Sequence, residues 1–234
     1  MADITIGNAS YDLIYAALGG ILPALLWLWF WLQEDKLHPE PRGRIVLCFW
    51  GGMVSVVPIY FIEKYISAHF GMGRETYFLW AVAEESIKLA AAWLFALRSR
   101  DYDEPIDALE YLITVALGFA ALENTLFILN PLLAGNTLQS LITGNMRFIG
   151  SSLLHVVSSA ILGYCIAREF YRSRLMKNVW RIIGLGLAVA LHTLFNLFII
   201  YDNGSKTFFI FGCVWATAIL VLLLFEKIKK LQKI

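Results

Sequence analysis

Apolar residues in this chain fall into seven long runs separated by short polar stretches. Each run is close to the ~20 residues that a helix needs to cross a bilayer. The pattern predicts membrane helices over Tyr11–Leu32, Ile45–Ile66, Thr76–Leu97, Ala108–Leu129, Met146–Ala167, Val179–Ile200 and Thr207–Phe225. Breakers stand between them: His38-Pro39-Glu40-Pro41, Gly71-Met72-Gly73, Asn130-Pro131 and Asp202-Asn203-Gly204. Pro23 and Pro58 lie inside runs, which membrane helices tolerate. The expected fold class is all-α, a polytopic membrane helix bundle of about seven spans. Short loops leave no room for a second domain, so residues 1–234 read as one integral membrane unit.

Composition agrees with that pattern. Hydrophobic residues make up 59% of the chain and charged residues only 16%, against roughly 25% in soluble domains. The formal net charge is +1, with no basic arm or Gly-rich phosphate loop, so no nucleic-acid partner is expected. Met1 to Ser10 hold no Lys or Arg, which predicts a retained first span rather than a cleaved signal. Cys48, Cys165 and Cys213 lie far apart in apolar runs and are expected to be buried, reduced thiols.

Charge also orients the bundle. Fourteen Lys and Arg fall in one alternating set of connections, from Lys36, Arg42 and Arg44 through to the C-terminal lysines. The other set holds four: Lys64, Arg74, Arg147 and Lys206. The positive-inside rule then places the N-terminus outside and the C-terminus in the cytoplasm.

Several polar residues interrupt the runs. An ionised side chain at a helix centre costs about 2.5–3.5 kcal/mol on insertion scales. The third run nevertheless contains Glu84-Glu85-Ser86-Ile87-Lys88, the fourth Glu123-Asn124, the fifth His155, and the sixth His192 and Asn196. At ~1.5 Å rise per residue, Glu84, Glu123, His155 and His192 lie about 9 to 14 Å from the outer ends of their spans. One layer in the outer half of the membrane therefore holds them all, and one shared polar cavity is expected. Lys88 is three and four residues from the two glutamates and can pair with either.

Carboxylates and imidazoles can ligate zinc, with a spare Glu to take a proton from the bound water. They can also activate water without metal, with His and Asn stabilising the oxyanion. Both routes are hydrolysis. No HExxH is present. Two other classes stay open: an ion- or proton-coupled transporter or channel, since intramembrane charges mark ion paths, and a zinc-dependent lipid amidase.

The chain resembles the PrsW family of intramembrane proteases, within the wider group that includes type II CaaX prenyl endopeptidases. The resemblance rests on Glu84-Glu85-Ser86-Ile87-Lys88, Asp103-Glu104-Pro105-Ile106-Asp107 and Gly118-Phe119-Ala120-Ala121-Leu122-Glu123-Asn124. It continues in the His155 helix with Gly163 and in His192-Thr193-Leu194-Phe195-Asn196. The CaaX group usually carries EExxxR and FxxxH; here Lys88 comes one position earlier and Phe119 leads to Glu123, which favours PrsW. The resemblance implies cleavage of a single-span membrane protein near the outer face of a bacterial cytoplasmic membrane. The family's founding role, cleavage of an anti-sigma factor, would be the regulated process. On this reading Glu84, Glu85 and Asn196 are the catalytic candidates, and Glu123, His155 and His192 the metal ligands. Zinc is the expected cofactor, and Lys88 and Asn124 support the site.

Overall fold

The computed structural model describes residues 6–34, 38–201 and 206–230. Among these every regular element is a helix: α1 Ile6–Trp31, α2 Arg42–Phe70, α3 Arg74–Ala92, α4 Asp107–Leu133, α5 Thr137–Met146, α6 Ser152–Arg168, α7 Arg174–Asn196 and α8 Thr207–Lys229. Single π-helical turns follow α3 (Trp93–Leu97) and α7 (Leu197–Tyr201), and a third, Arg147–Ser151, joins α5 to α6. Counting α5 and α6 as one bent helix gives the seven expected segments. Six are long and apolar enough to cross a membrane by length and composition, among them Thr137–Arg168. The remaining one, α3, carries Glu84, Glu85 and Lys88 within it.

The differences from expectation are local. Asn130-Pro131 does not end α4, which runs on to Leu133 with Pro131 in its last turn. There the missing proline N–H breaks only one bond near a terminus whose carbonyls are already frayed. The fifth helix starts nine residues earlier than expected, because Asn136 caps α5 by accepting from the Gln139 N–H. Gly71, at φ 69°, ends α2 as expected. The Asp202-Asn203-Gly204 breaker lies outside the described residues. Cys48 and Cys165 are buried, but Cys213 is exposed on the outer side of α8, where a membrane protein meets lipid rather than a core.

Helix α4 is the centre of the bundle. Every residue from Asp107 to Ala121 is buried, and α1, α2, α3, α5 and α6 all pack on it. The approach to α2 is backbone against backbone. A Cβ on Gly52 would strike the Val115 carbonyl, and one on Gly118 the Phe49 carbonyl. Small residues at such crossings replace the hydrophobic driving force that lipid cannot supply. The apolar residues of α1, α2 and α8 point outward instead, with Tyr15, Trp29, Phe61 and Leu223 each more than 60% exposed. In a bilayer that exposed apolar surface is solvated by acyl chains. The end of the bundle poor in Lys and Arg, where α5 lies, is called the outer end below.

Candidate active site

The intramembrane polar residues converge. Adjacent residues on a helix lie about 100° apart, so Glu84 and Glu85 cannot face the same way. Glu84 lines a cavity of about 630 Å³ that opens in the outer half of the bundle, together with Glu123, His155, His192 and Asn196. Glu85 points the other way and is fully buried. Its Oε1 accepts from Lys88 Nζ at 2.8 Å, from His192 Nδ1 at 2.7 Å and from Ser158 Oγ at 3.4 Å.

Lys88 is itself fully buried. Beyond Glu85 it meets His155 Nδ1 at 2.7 Å and Glu84 Oε2 at 3.6 Å, and it lies 4.6 Å from the Phe119 ring centre. Its pairing with a carboxylate, expected from spacing alone, is thus with Glu85 first. His155 uses its second nitrogen as well: Nε2 is 2.9 Å from Glu123 Oε2. Since Lys88 can only donate, His155 Nδ1 accepts, and Nε2 carries the proton that goes to Glu123. His192 donates Nδ1–H to Glu85, which leaves its Nε2 lone pair toward Glu84 Oε1, 3.7 Å away. That gap exceeds a direct hydrogen bond. Glu84 Oε2 has no hydrogen-bond partner among the described residues.

Three potential ligands therefore cluster: one donor atom each from Glu84, His155 and His192, all within 4.8 Å of one another. Glu123 stands beside this triple, against His155. Asn124 joins helices rather than entering the cavity, donating from Nδ2 to Ser152 Oγ at 2.8 Å. Asn196, one turn beyond His192, is buried at the cavity wall.

Two further residues belong to the site. Glu63, on α2, comes within hydrogen-bonding reach of Glu84 and lines the same cavity. Arg147 binds Glu123 through Nη2. An acid three residues inside the outer end of the second run was the available signal for Glu63. For Arg147 there was none, since it counts equally well as a loop cation.

A sequence model described as PrsW family intramembrane metalloprotease matches residues 40–224. Protease PrsW of Geobacillus kaustophilus is 30% identical over 149 residues, which span 62% of this chain and 62% of that protein. Protease PrsW of Oceanobacillus iheyensis is 28% identical, over 80% of this chain and 84% of its own. Protease PrsW of Bacillus subtilis is 24% identical, over 74% and 77%. No solved structure matches. The family match covers most of the chain and includes every residue of the cavity cluster, and the chain belongs to the PrsW family of intramembrane metalloproteases, multi-pass membrane peptidases.

Proposed function

We propose that this protein hydrolyses a peptide bond of a membrane-anchored, single-span protein substrate in the outer half of a bacterial cytoplasmic membrane. The observation that carries the reading is Glu84. It is a carboxylate on the wall of a cavity large enough for a peptide segment, with Oε1 3.7 Å from His192 Nε2 and Oε2 turned inward toward Lys88 and His155. Such a group can accept the proton of a water that attacks a carbonyl. Glu85 takes no proton in this scheme. With Lys88, it holds the His192 ring by Nδ1 and leaves Nε2 to face the reacting water. Asn196 is the candidate donor to the oxyanion, from the same helix face as His192. The protease names of the relatives favour peptide hydrolysis over ion transport or lipid amide hydrolysis. An anti-sigma factor is one substrate of the required form.

The donor set fits a zinc ion. Catalytic zinc commonly takes three protein ligands of N and O type, and Glu84, His155 and His192 supply them at compatible spacing. Glu85 behind His192 and Glu123 behind His155 supply the carboxylates that orient ligating imidazoles. Four carboxylates, of Glu63, Glu84, Glu85 and Glu123, gather around two permanent cations, Lys88 and Arg147, and that surplus favours a divalent cation. Bound there, zinc would polarise water and the scissile carbonyl with Glu84 as a ligand, so that Glu84 is the general base only in the metal-free version. One observation favours a metal-free version: both nitrogens of His155 are engaged, by Lys88 and by Glu123. Glu84 alone would then activate the water.

The test is cleavage of a single-span reporter by purified protein. Glu84→Gln keeps the side-chain shape and should cost the ~10²–10⁴-fold typical of a general base. Near-normal cleavage by that variant would remove the mechanism. Zinc content, and loss of cleavage on chelation with recovery on zinc addition, separates the two versions.

A further inference from the structure

One cation at the mouth of the cavity has no part in the chemistry above. Arg147 opens the π turn between α5 and α6. Its Nη2 donates to Glu123 Oε2, its Nε donates to Asn124 Oδ1 at 2.6 Å, and its guanidinium lies 3.9 Å from the Phe127 ring centre. Three side chains of α4 are thus held by one group. The pair with Glu123 is only 15% and 18% exposed, so it is not a solvated surface pair of negligible value.

The π turn accounts for the aim. Eight residues of plain α-helix sweep about 800°, which would leave position 147 roughly 80° around the helix from position 155. One residue absorbed in a π turn makes those eight cover the arc of about seven, roughly 700°, nearly two full turns. Arg147 and His155 then share a face, and both reach the same oxygen, Glu123 Oε2. The turn is braced from behind: Gly150 admits the Phe211 ring of α8, which a Cβ there would strike.

We infer that Arg147 is a positioning residue of the hydrolytic centre, fixing Glu123 so that Glu123 fixes the His155 ring; this rests on the hydrolase reading above. Without the guanidinium, the Glu123 carboxylate loses its anchor to α6 and its second donor. The His155 ring then loses a fixed acceptor at Nε2. A shift of ~1 Å in a reacting group costs on the order of 10²-fold. Lysine is no substitute, because a point charge cannot span Glu123, Asn124 and Phe127 together.

The experiment uses full-length protein in liposomes and a panel of fluorogenic single-span peptides, taking one that the wild type cleaves. Arg147→Ala should lower kcat by ~10- to 100-fold with KM within about threefold, since the residue acts on the transition state rather than on substrate binding. Arg147→Lys should recover little. Added guanidinium ion should restore part of the Arg147→Ala rate but none of the Arg147→Met rate, where the space is filled. In thermal unfolding, Arg147→Ala combined with Glu123→Gln should melt no lower than Arg147→Ala alone. An unchanged kcat in Arg147→Ala, or a loss confined to KM, overturns the inference. If the wild type cleaves no peptide, the hydrolase reading fails separately. The unfolding comparison then still decides the Arg147–Glu123 link, and additive losses overturn it.

Discussion

Replacing Lys88 by Met keeps the length of the side chain and removes its charge from the middle of the bundle. The structure sets the consequence. Lys88 is fully buried and bridges Glu85, His155 and Glu84. Its loss leaves Glu85, also fully buried, with a carboxylate unbalanced by any adjacent permanent cation. Breaking a buried pair from one side costs about 3–5 kcal/mol. Glu85 keeps the His192 Nδ1–H at 2.7 Å and Ser158 at 3.4 Å, so the lower end, ~3 kcal/mol, is expected. For a chain of this size each kcal/mol lowers Tm by ~2–4 °C, which gives a fall of ~6–12 °C. The pair lies in a low-dielectric interior, so salt should change the result little.

The assay is thermal unfolding of purified protein in detergent, followed by intrinsic fluorescence. The informative variant is the double one, Lys88→Met with Glu85→Gln. It removes the orphaned charge and should regain at least half of the lost Tm, because the penalty belongs to the carboxylate and not to the missing lysine contacts. A fall of less than ~2 °C in Lys88→Met, or a double variant no more stable than the single, would refute this account of α3.

Three other outcomes follow from the same geometry. A reporter fused after Ile234 should be cytoplasmic and a tag before Tyr11 external, as the Lys and Arg bias requires; both on one side would remove the seven-span arrangement. Gly118→Ala puts a methyl group against the Phe49 carbonyl and should cost ~1–3 kcal/mol in unfolding measurements, whereas Gly186→Ala, with open space around it, should be neutral or stabilising by a few tenths of a kcal/mol. Burial pushes the Glu40 carboxyl, in the α1–α2 connection, up to about 8 from 4.5. The folded protein therefore holds that proton where the unfolded chain has lost it, and stability falls as pH rises from about 4.5 to about 8. Glu40→Gln should flatten that decline in Tm against pH, and an unchanged slope would exclude Glu40 as its source.

The spans were legible because a bilayer demands long apolar helices, and little else produces them. Their ends were less so. Pro131 reads as a stop in sequence, but near a helix terminus it removes a bond that the last turn can spare. The extension of the fifth helix back to Thr137 depends on the cap at Asn136, and a lone Asn in a polar stretch does not announce itself as one. The convergence of Glu84, Glu123, His155 and His192 was legible because polar groups at matched depth have nowhere to go but toward each other. Which atom meets which was not. The 3.6-residue period allows Lys88 to reach Glu84 or Glu85 equally. The choice of Glu85 comes from His155 and Ser158 on α6 and His192 on α7, contacts that no local spacing encodes.

That choice gives the paired glutamates their meaning. Two adjacent carboxylates in a helix cannot share a wall of one cavity, so a site that needs one of them exposed to substrate must bury the other. Burial is tolerable only with a cation and further donors, and Lys88, His192 and Ser158 provide them around Glu85. The same lysine then reaches past Glu85 to His155 Nδ1, and the same Glu85 holds His192 Nδ1. The buried glutamate and lysine thus fix both imidazoles from behind, while Glu84, one residue earlier, lines the cavity with Oε1 3.7 Å from His192 Nε2 and Oε2 turned toward Lys88. From the other side Arg147 secures Glu123, and through it the Nε2 edge of His155. Charges too costly to leave unpaired in a membrane are in this way each paired with a group that orients an imidazole. The stability of the bundle and the geometry of its candidate active site therefore rest on the same hydrogen bonds.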